Sequence, residues 1–249
     1  MSDVVLIEKV DTEAELDRLA RHYKSAGGAG VKLLNRLGGT AESLLDQLPE
    51  PIREGLTEAT EQALWIAMRA AQGSRRAVAD QSPWVNTAVA TAMGAAGGIG
   101  GVTSALVELP ATTAMLLRSI QGAAVREGFD PEEENVKFDS IRVLSTAGPL
   151  SEDDGADLGF LSARLTLAGP TMQRMIAAIA PRLSVVLGQK LAAQSVPVLG
   201  ALAGGSTNFI YTRYYQQIAQ VHFGLRRLAI DADIPHDELV RKLSHRMVN

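Results

Sequence analysis

Four histidines, His22, His222, His236 and His245, are the residues that could hold a metal or move a proton near neutral pH. None stands four residues from another around a glutamate, the spacing that puts two imidazoles and a general base on one helix face, so a zinc-protease helix is absent. His222 sits at the end of an apolar stretch, where a satisfied core histidine is the expectation, and His236 and His245 fall in a polar C-terminal segment where exposure is expected. The chain has no cysteine, which excludes disulfides, thiolate zinc sites, iron–sulfur clusters and thiol nucleophiles. Gly97-Gly98-Ile99-Gly100-Gly101 has the glycine density of a phosphate loop, but neither Lys-Ser nor Lys-Thr follows it and no strand pattern precedes it. The nucleophile elbow Gly-x-Ser-x-Gly does not occur. The expectation is a protein without metal or cofactor, and more readily a non-enzyme than an enzyme.

The polar residues that stand out are Glu108, Arg118, Asn208 and Arg213, each in or beside an apolar run. A charge there must find a partner or reach water, because an unpaired buried charge is very costly. One reading is a salt-bridge and amide network that fixes helix register, with Glu108 approaching Arg118, Asn208 or Arg213. The other is a site in which Arg118 or Arg213 binds a headgroup or small anion.

The elements that would position these residues are helices. Thr12 to Glu15 has the form of a capping box, followed by Leu16, Leu19, Ala20 and Tyr23 at helical spacing and by Gly27-Gly28 as a stop. Pro51 suits a first helical turn, and the run from Ile52 to about Ala79 has few breakers. Pro110 reads as the start of a fresh helix that Gly128 closes, with Glu108 at the bend. Asp130-Pro131-Glu132-Glu133 combines cap, proline and first-turn carboxylates. Pro170 starts another helix, which Pro181 should kink or split; Pro197 begins a long one, and Asp233 with Pro235 the last. Only Val4–Ile7 resembles a strand, and it is too short to build a sheet. The fold class expected is all-α: one multi-helix bundle of about eight to ten helices, with residues 1–39 as an N-terminal helical extension and 40–249 as the main domain.

Two uncharged segments occupy the middle of the chain, 27 positions from Gln81 to Val107 and 22 from Leu191 to Thr212. Both are long enough to cross a bilayer core. The first is rich in alanine and glycine, which makes its insertion energy marginal, and the second carries Gln194, Pro197 and Asn208. Gly94, Gly97, Gly98 and Gly101 in the first, and Gly200 and Gly204 in the second, have the four-residue spacing that lets helix backbones approach closely. Two tightly packed central helices are therefore expected. Phe209, Tyr211, Tyr214, Tyr215 and Phe223 follow the second segment beside Arg213, Arg226 and Arg227. They read either as rings filling gaps left by small residues or as an aromatic and basic girdle at a membrane interface.

The net charge is −4; the stretch from Asp130 to Asp157, with nine acids and two bases, carries −7, which leaves +3 on the rest of the chain. A solvated acidic face is the ordinary meaning of such a stretch, and nothing marks a nucleic-acid surface. Met1-Ser2-Asp3 has no basic leader, and Glu8 and Asp11 interrupt the apolar start, so no secretory signal is expected.

Two stretches together resemble the EcsC protein family of bacteria. The first is Glu108-Leu109-Pro110-Ala111-Thr112-Thr113 with Leu116-Leu117-Arg118-Ser119-Ile120 and Glu127-Gly128-Phe129-Asp130; the second is Val196-Pro197-Val198-Leu199-Gly200-Ala201 with Asn208-Phe209, Tyr214 to Ala219, and His222-Phe223 to Arg227-Leu228. The similarity runs over roughly residues 40–230. That family is named for an accessory component encoded with a bacterial transporter, and its biochemical activity is undefined. The resemblance implies a helical fold and a link to membrane processes, and supplies no catalytic residues. The function expected is that of an accessory or interaction protein at or near the cytoplasmic membrane. Its location would be the cytoplasm, peripheral to or embedded in the inner membrane, with membrane lipid or a membrane protein complex as partner and no nucleic acid. A lipid- or small-molecule-binding module and an unrecognised hydrolase are the alternatives.

Overall fold

A computed structural model describes residues 10–28, 31–32, 45–46, 48–77, 101–146, 172–195 and 200–248, with side chains described in 10–28, 31–32, 45–46, 48–69, 109–146, 172–192 and 206–247. Seven helices lie within these residues: α1 (Thr12–Ala26), α2 (Glu50–Ala77), α3 (Gly101–Arg126), α4 (Glu134–Leu144), α5 (Met172–Ser195), α6 (Gly200–Asp231) and α7 (His236–Val248). No strand occurs among the described residues, which makes the fold all-helical as expected. The expected count of eight to ten is not reached within them, and Val4–Ile7 lies outside them.

Local chemistry explains most helix ends. Asp11, not Thr12, caps α1, with its carboxylate accepting from the backbone N–H groups of Glu13 (3.1 Å) and Ala14 (3.0 Å). Glu15 does not reach back to the cap; it is drawn to Arg18, one turn on, at 2.5 Å. A charged pair outweighs the reciprocal cap here, because Asp11 has already satisfied the orphan donors. At the end of α3, Gly128 adopts φ +79°. The N–H of Phe129 then bonds the carbonyl of Ala124 at 2.9 Å and that of Gly128 bonds Val125 at 3.0 Å, a Schellman stop that favours glycine. Asp233 occupies the same left-handed region, at φ 53°, after α6.

Pro110 does not start a fresh helix, and Pro181 does not split one. Helix α3 runs unbroken through Pro110, and α5 runs unbroken through Pro181. An interior proline costs about 3 kcal/mol or more. Burial of Leu109, Leu116, Leu117 and Ile120 on α3, each at most 2% exposed, offsets it at roughly 1.5–3 kcal/mol per side chain. Glu108 is thus inside a continuous helix rather than at a break between two, and its side chain lies outside the described residues.

Helices α2, α3, α5 and α6 form the main bundle: α3 packs on α2 and α6, α5 packs on α2, α3 and α6, and α4 covers the group. Their apolar faces make one core, from Leu56 and Leu64 through Leu116 and Ile141 to Leu187 and Phe223. A second, smaller core joins α1, the C-terminal half of α6 and α7, with Leu16, Leu19, Val221, Leu225, Leu239 and Leu243 at its centre. Helix α6 therefore spans both cores.

Close helix approach occurs at glycines that the spacing argument did not single out. A Cβ on Gly188 would lie 2.6 Å from side-chain atoms of both Leu45 and Leu56, where α5 meets α2. A Cβ on Gly224 would lie 2.6 Å from Leu19, where α6 meets α1. Gly94, Gly97 and Gly98 lie outside the described residues; Gly101 opens α3 and Gly200 and Gly204 lie in the first turns of α6, in parts whose packing is not described.

Candidate functional site

The interior of the bundle carries an unusual load of polar side chains. Arg118 on α3 and Lys190 on α5 are buried, at 8% and 2% exposure, and each engages a partner. Around the same helices Thr112, Thr113, Ser119 and Gln121 are buried on α3, Gln189 on α5, and Thr207, Asn208, Thr212 and Gln216 on α6. Some are satisfied locally: Thr113 Oγ1 donates to the Leu109 carbonyl at 2.8 Å, and Tyr211 Oη donates to the Val186 carbonyl at 3.4 Å. Four hydroxyls are not. Thr60 Oγ1, Ser119 Oγ, Thr212 Oγ1 and Tyr215 Oη are buried with no hydrogen-bond partner among the described residues. Burial pushes the phenols of Tyr211 and Tyr215 well above their ordinary value, with neighbouring tyrosines adding to the shift. Both stay neutral at any physiological pH.

Of the polar residues expected to matter, Arg118 and Asn208 face this interior. Arg213 does not: it is exposed, five positions after Asn208 and hence on another side of α6. Sequence reasoning missed Lys190. Its signal was available, since a lone lysine follows Gly188-Gln189 in an otherwise apolar run just before the second uncharged segment.

A second cluster, also missed, links α4 to α6. The Asp139 carboxylate faces Arg226 Nη1 at 2.8 Å, His222 Nε2 at 3.3 Å and Arg142 Nη1 at 3.9 Å. Burial alone would raise the Asp139 carboxyl, but His222, by hydrogen bond and charge, and then Arg226 and Arg142 hold it below the usual carboxylate range. The Arg226 guanidinium also lies 4.5 Å from the centre of the Phe129 ring. His222 is thus a partnered core histidine. The spacing of His222 and Arg226, four apart, placed both on one helix face, but nothing in sequence named Asp139 as the acid between them.

The aromatic girdle is corrected in the same region. Tyr211, Tyr215 and Phe223 are fully buried and Tyr214 is half-buried, so these rings fill the core. Phe209 differs, at 47% exposure.

The outer surface of α5 is the remaining feature with a chemical character. The helix contains Arg174, Arg182 and Lys190 and no acid. Its exposed positions are Gln173, Arg174, Ala177, Ala178, Pro181, Arg182 and Val185, which form one stripe over half the helix circumference. Neither Arg174 nor Arg182 has an ion-pair partner among the described residues. Among those residues this helix, from Met172 to Ala192, is also the one long and apolar enough to cross a membrane, with two-thirds of its 18-residue apolar window buried inside the bundle. The two uncharged segments singled out from sequence do not coincide with it.

Comparison with known proteins decides the family. The EcsC protein family model matches residues 31–228. The chain belongs to the EcsC protein family. An uncharacterized protein of Bacillus subtilis strain 168, YdbA, is 30% identical over 98 residues, which is 39% of this chain and 33% of that protein. The chain thus spans about a third of the length of that curated relative. No solved structure matches. The EcsC match takes in α2 to α6 and ends at Leu228; α1 and α7, which build the second core against α6, lie on either side of it.

Proposed function

We propose that this EcsC protein is a non-enzymatic accessory protein that works against the anionic, cytoplasmic surface of a membrane, presenting the outer stripe of α5. The observation that carries the reading is the composition of that stripe: two arginines without ion pairs among the described residues, apolar Ala177, Ala178, Pro181 and Val185, and no acid anywhere on the helix. An interfacial helix combines an apolar strip with cations that reach anionic headgroups. Arg174 and Arg182 are eight residues apart, about 12 Å along the axis, so both can meet one flat surface. Each cation near an anionic leaflet contributes about 1 kcal/mol, so the pair supplies about 2 kcal/mol, roughly thirty-fold in affinity. Phe209 and Arg213, one turn apart and both exposed on α6, repeat the combination of ring and cation. Washing isolated membranes tests the mode of attachment: high salt should release the protein, whereas retention after the wash would point to an inserted helix.

A second reading has its own support. The four buried hydroxyls without a hydrogen-bond partner among the described residues are groups that a polar ligand within the bundle would satisfy. Native mass spectrometry of the purified protein tests it: a co-purifying lipid or small anion favours a binding module, and a bare mass disfavours it.

A further inference from the structure

Helices α1 and α7 lie outside the family match, yet they meet in space and border an open cleft of about 400 Å³. Its lining is Asp17, Ala20, Arg21 and Lys24 from α1 and His245 and Arg246 from α7. The charges in this lining are not equivalent. Arg246 is fully used: Nε donates to Asp17 Oδ1 at 2.9 Å, Nη2 donates to the Glu13 carboxylate, and Nη1 donates to the Lys242 carbonyl at 3.1 Å. That arginine fastens the two helices and pairs with both acids at this end of the cleft. Arg21 and Lys24 are exposed and have no ion pair among the described residues. They are three apart on α1, the spacing that places side chains on one helix face about 5–6 Å apart. His245 stands on the opposite wall, contributed by α7.

We infer that this cleft binds a phosphate dianion, gripped by the guanidinium of Arg21 and the ammonium of Lys24, with the His245 ring on the facing wall. The guanidinium offers a planar fork that matches phosphate geometry, and the ammonium adds a compact charge beside it. Inorganic phosphate would leave most of the volume empty, because ligand pockets begin near 300 Å³ and hold whole small molecules. The ligand has room to carry the phosphate on a larger group. It is either a soluble phosphorylated compound or a lipid headgroup, and the cleft reads the chemistry the two share. The inference does not depend on the α5 stripe, which contributes nothing to the lining.

The test is a titration of the full chain with inorganic pyrophosphate at constant ionic strength, followed by amide and His245 ring resonances, with chloride as the control anion. Saturable shifts confined to α1 and α7 are expected, and Arg21→Gln with Lys24→Gln should weaken binding at least tenfold without altering the melting temperature. Arg21→Lys should keep part of the affinity. Shifts no larger than those from chloride, or a double variant binding within twofold of the natural protein, would overturn the assignment. Arg174→Glu with Arg182→Glu should bind pyrophosphate normally, so a failure of the membrane reading stays distinguishable. In that same background, binding to phosphatidic acid vesicles that pyrophosphate displaces assigns the cleft a lipid headgroup. Binding of pyrophosphate without binding of the vesicles assigns it a soluble phosphate.

Discussion

Replacing Asp139 by Asn keeps the shape of the side chain and removes the negative charge that faces Arg226, His222 and Arg142, which lie at 2.8, 3.3 and 3.9 Å. The Asp139 side chain is 16% exposed and that of His222 5%, so water does little to screen what remains. Breaking a buried ion pair by deleting one partner costs about 3–5 kcal/mol, and the partial exposure of Arg226 puts this cluster at the lower end, about 3 kcal/mol. At about 2–4 °C per kcal/mol for a chain of this size, the melting temperature at pH 7 should fall by about 6–12 °C. The pH dependence has a definite sign. The folded-state value of Asp139 lies below its unfolded value, so its stabilisation is complete above an unfolded value near 4 and is lost as the pH drops through the lower folded value. Thermal denaturation followed by circular dichroism, from pH 7 down to pH 3, should show the gap between natural protein and variant closing only below about pH 4. Equal melting temperatures at pH 7, or a gap that stays constant into acid, would refute the reasoning.

Three further outcomes follow from the packing. Tyr215→Phe removes a buried hydroxyl that has no partner, so the melting temperature should rise by an amount worth about 1 kcal/mol; a fall would mean that this hydroxyl is satisfied in solution. Gly224→Val places side-chain atoms where Leu19 and Arg18 already sit, which should cost about 1–3 kcal/mol and make α1 the first segment cut in limited proteolysis; unchanged proteolysis would show that α1 does not rest on α6. Asp233→Val puts a β-branched residue at φ 53° and should destabilise by about 1–2 kcal/mol, whereas Asp233→Gly should be tolerated; equal effects of the two, measured by urea denaturation, would exclude a left-handed residue there.

The boundaries of these helices were largely legible because capping and stopping are local. Gly27 and Gly128 end helices where the sequence places a stop, and Pro51 sits in a first turn. Pro110 and Pro181 misled because a local penalty of a few kcal/mol was set against leucines whose burial depends on partners distant in sequence. The site was legible by residue type and illegible by pairing. Arg118 and Asn208 were recognisable as polar residues in apolar runs, and both are buried. Asp139 was lost in an acidic stretch that reads as a solvated face, although His222 and Arg226 from α6 hold it, more than eighty positions away. Gly188 and Gly224 lack the four-residue spacing of the glycines that drew attention; what marks them is leucines supplied by other helices.

Binding to vesicles tests the central claim most directly. The purified protein should sediment with vesicles containing phosphatidylglycerol and not with phosphatidylcholine alone, and the binding should weaken as salt rises. Arg174→Glu with Arg182→Glu should keep the fold and reduce affinity for the anionic vesicles by roughly thirty-fold or more, since about 2 kcal/mol of attraction is lost and repulsion is added. Undiminished binding by that variant, or equal binding to both kinds of vesicle, would contradict the account.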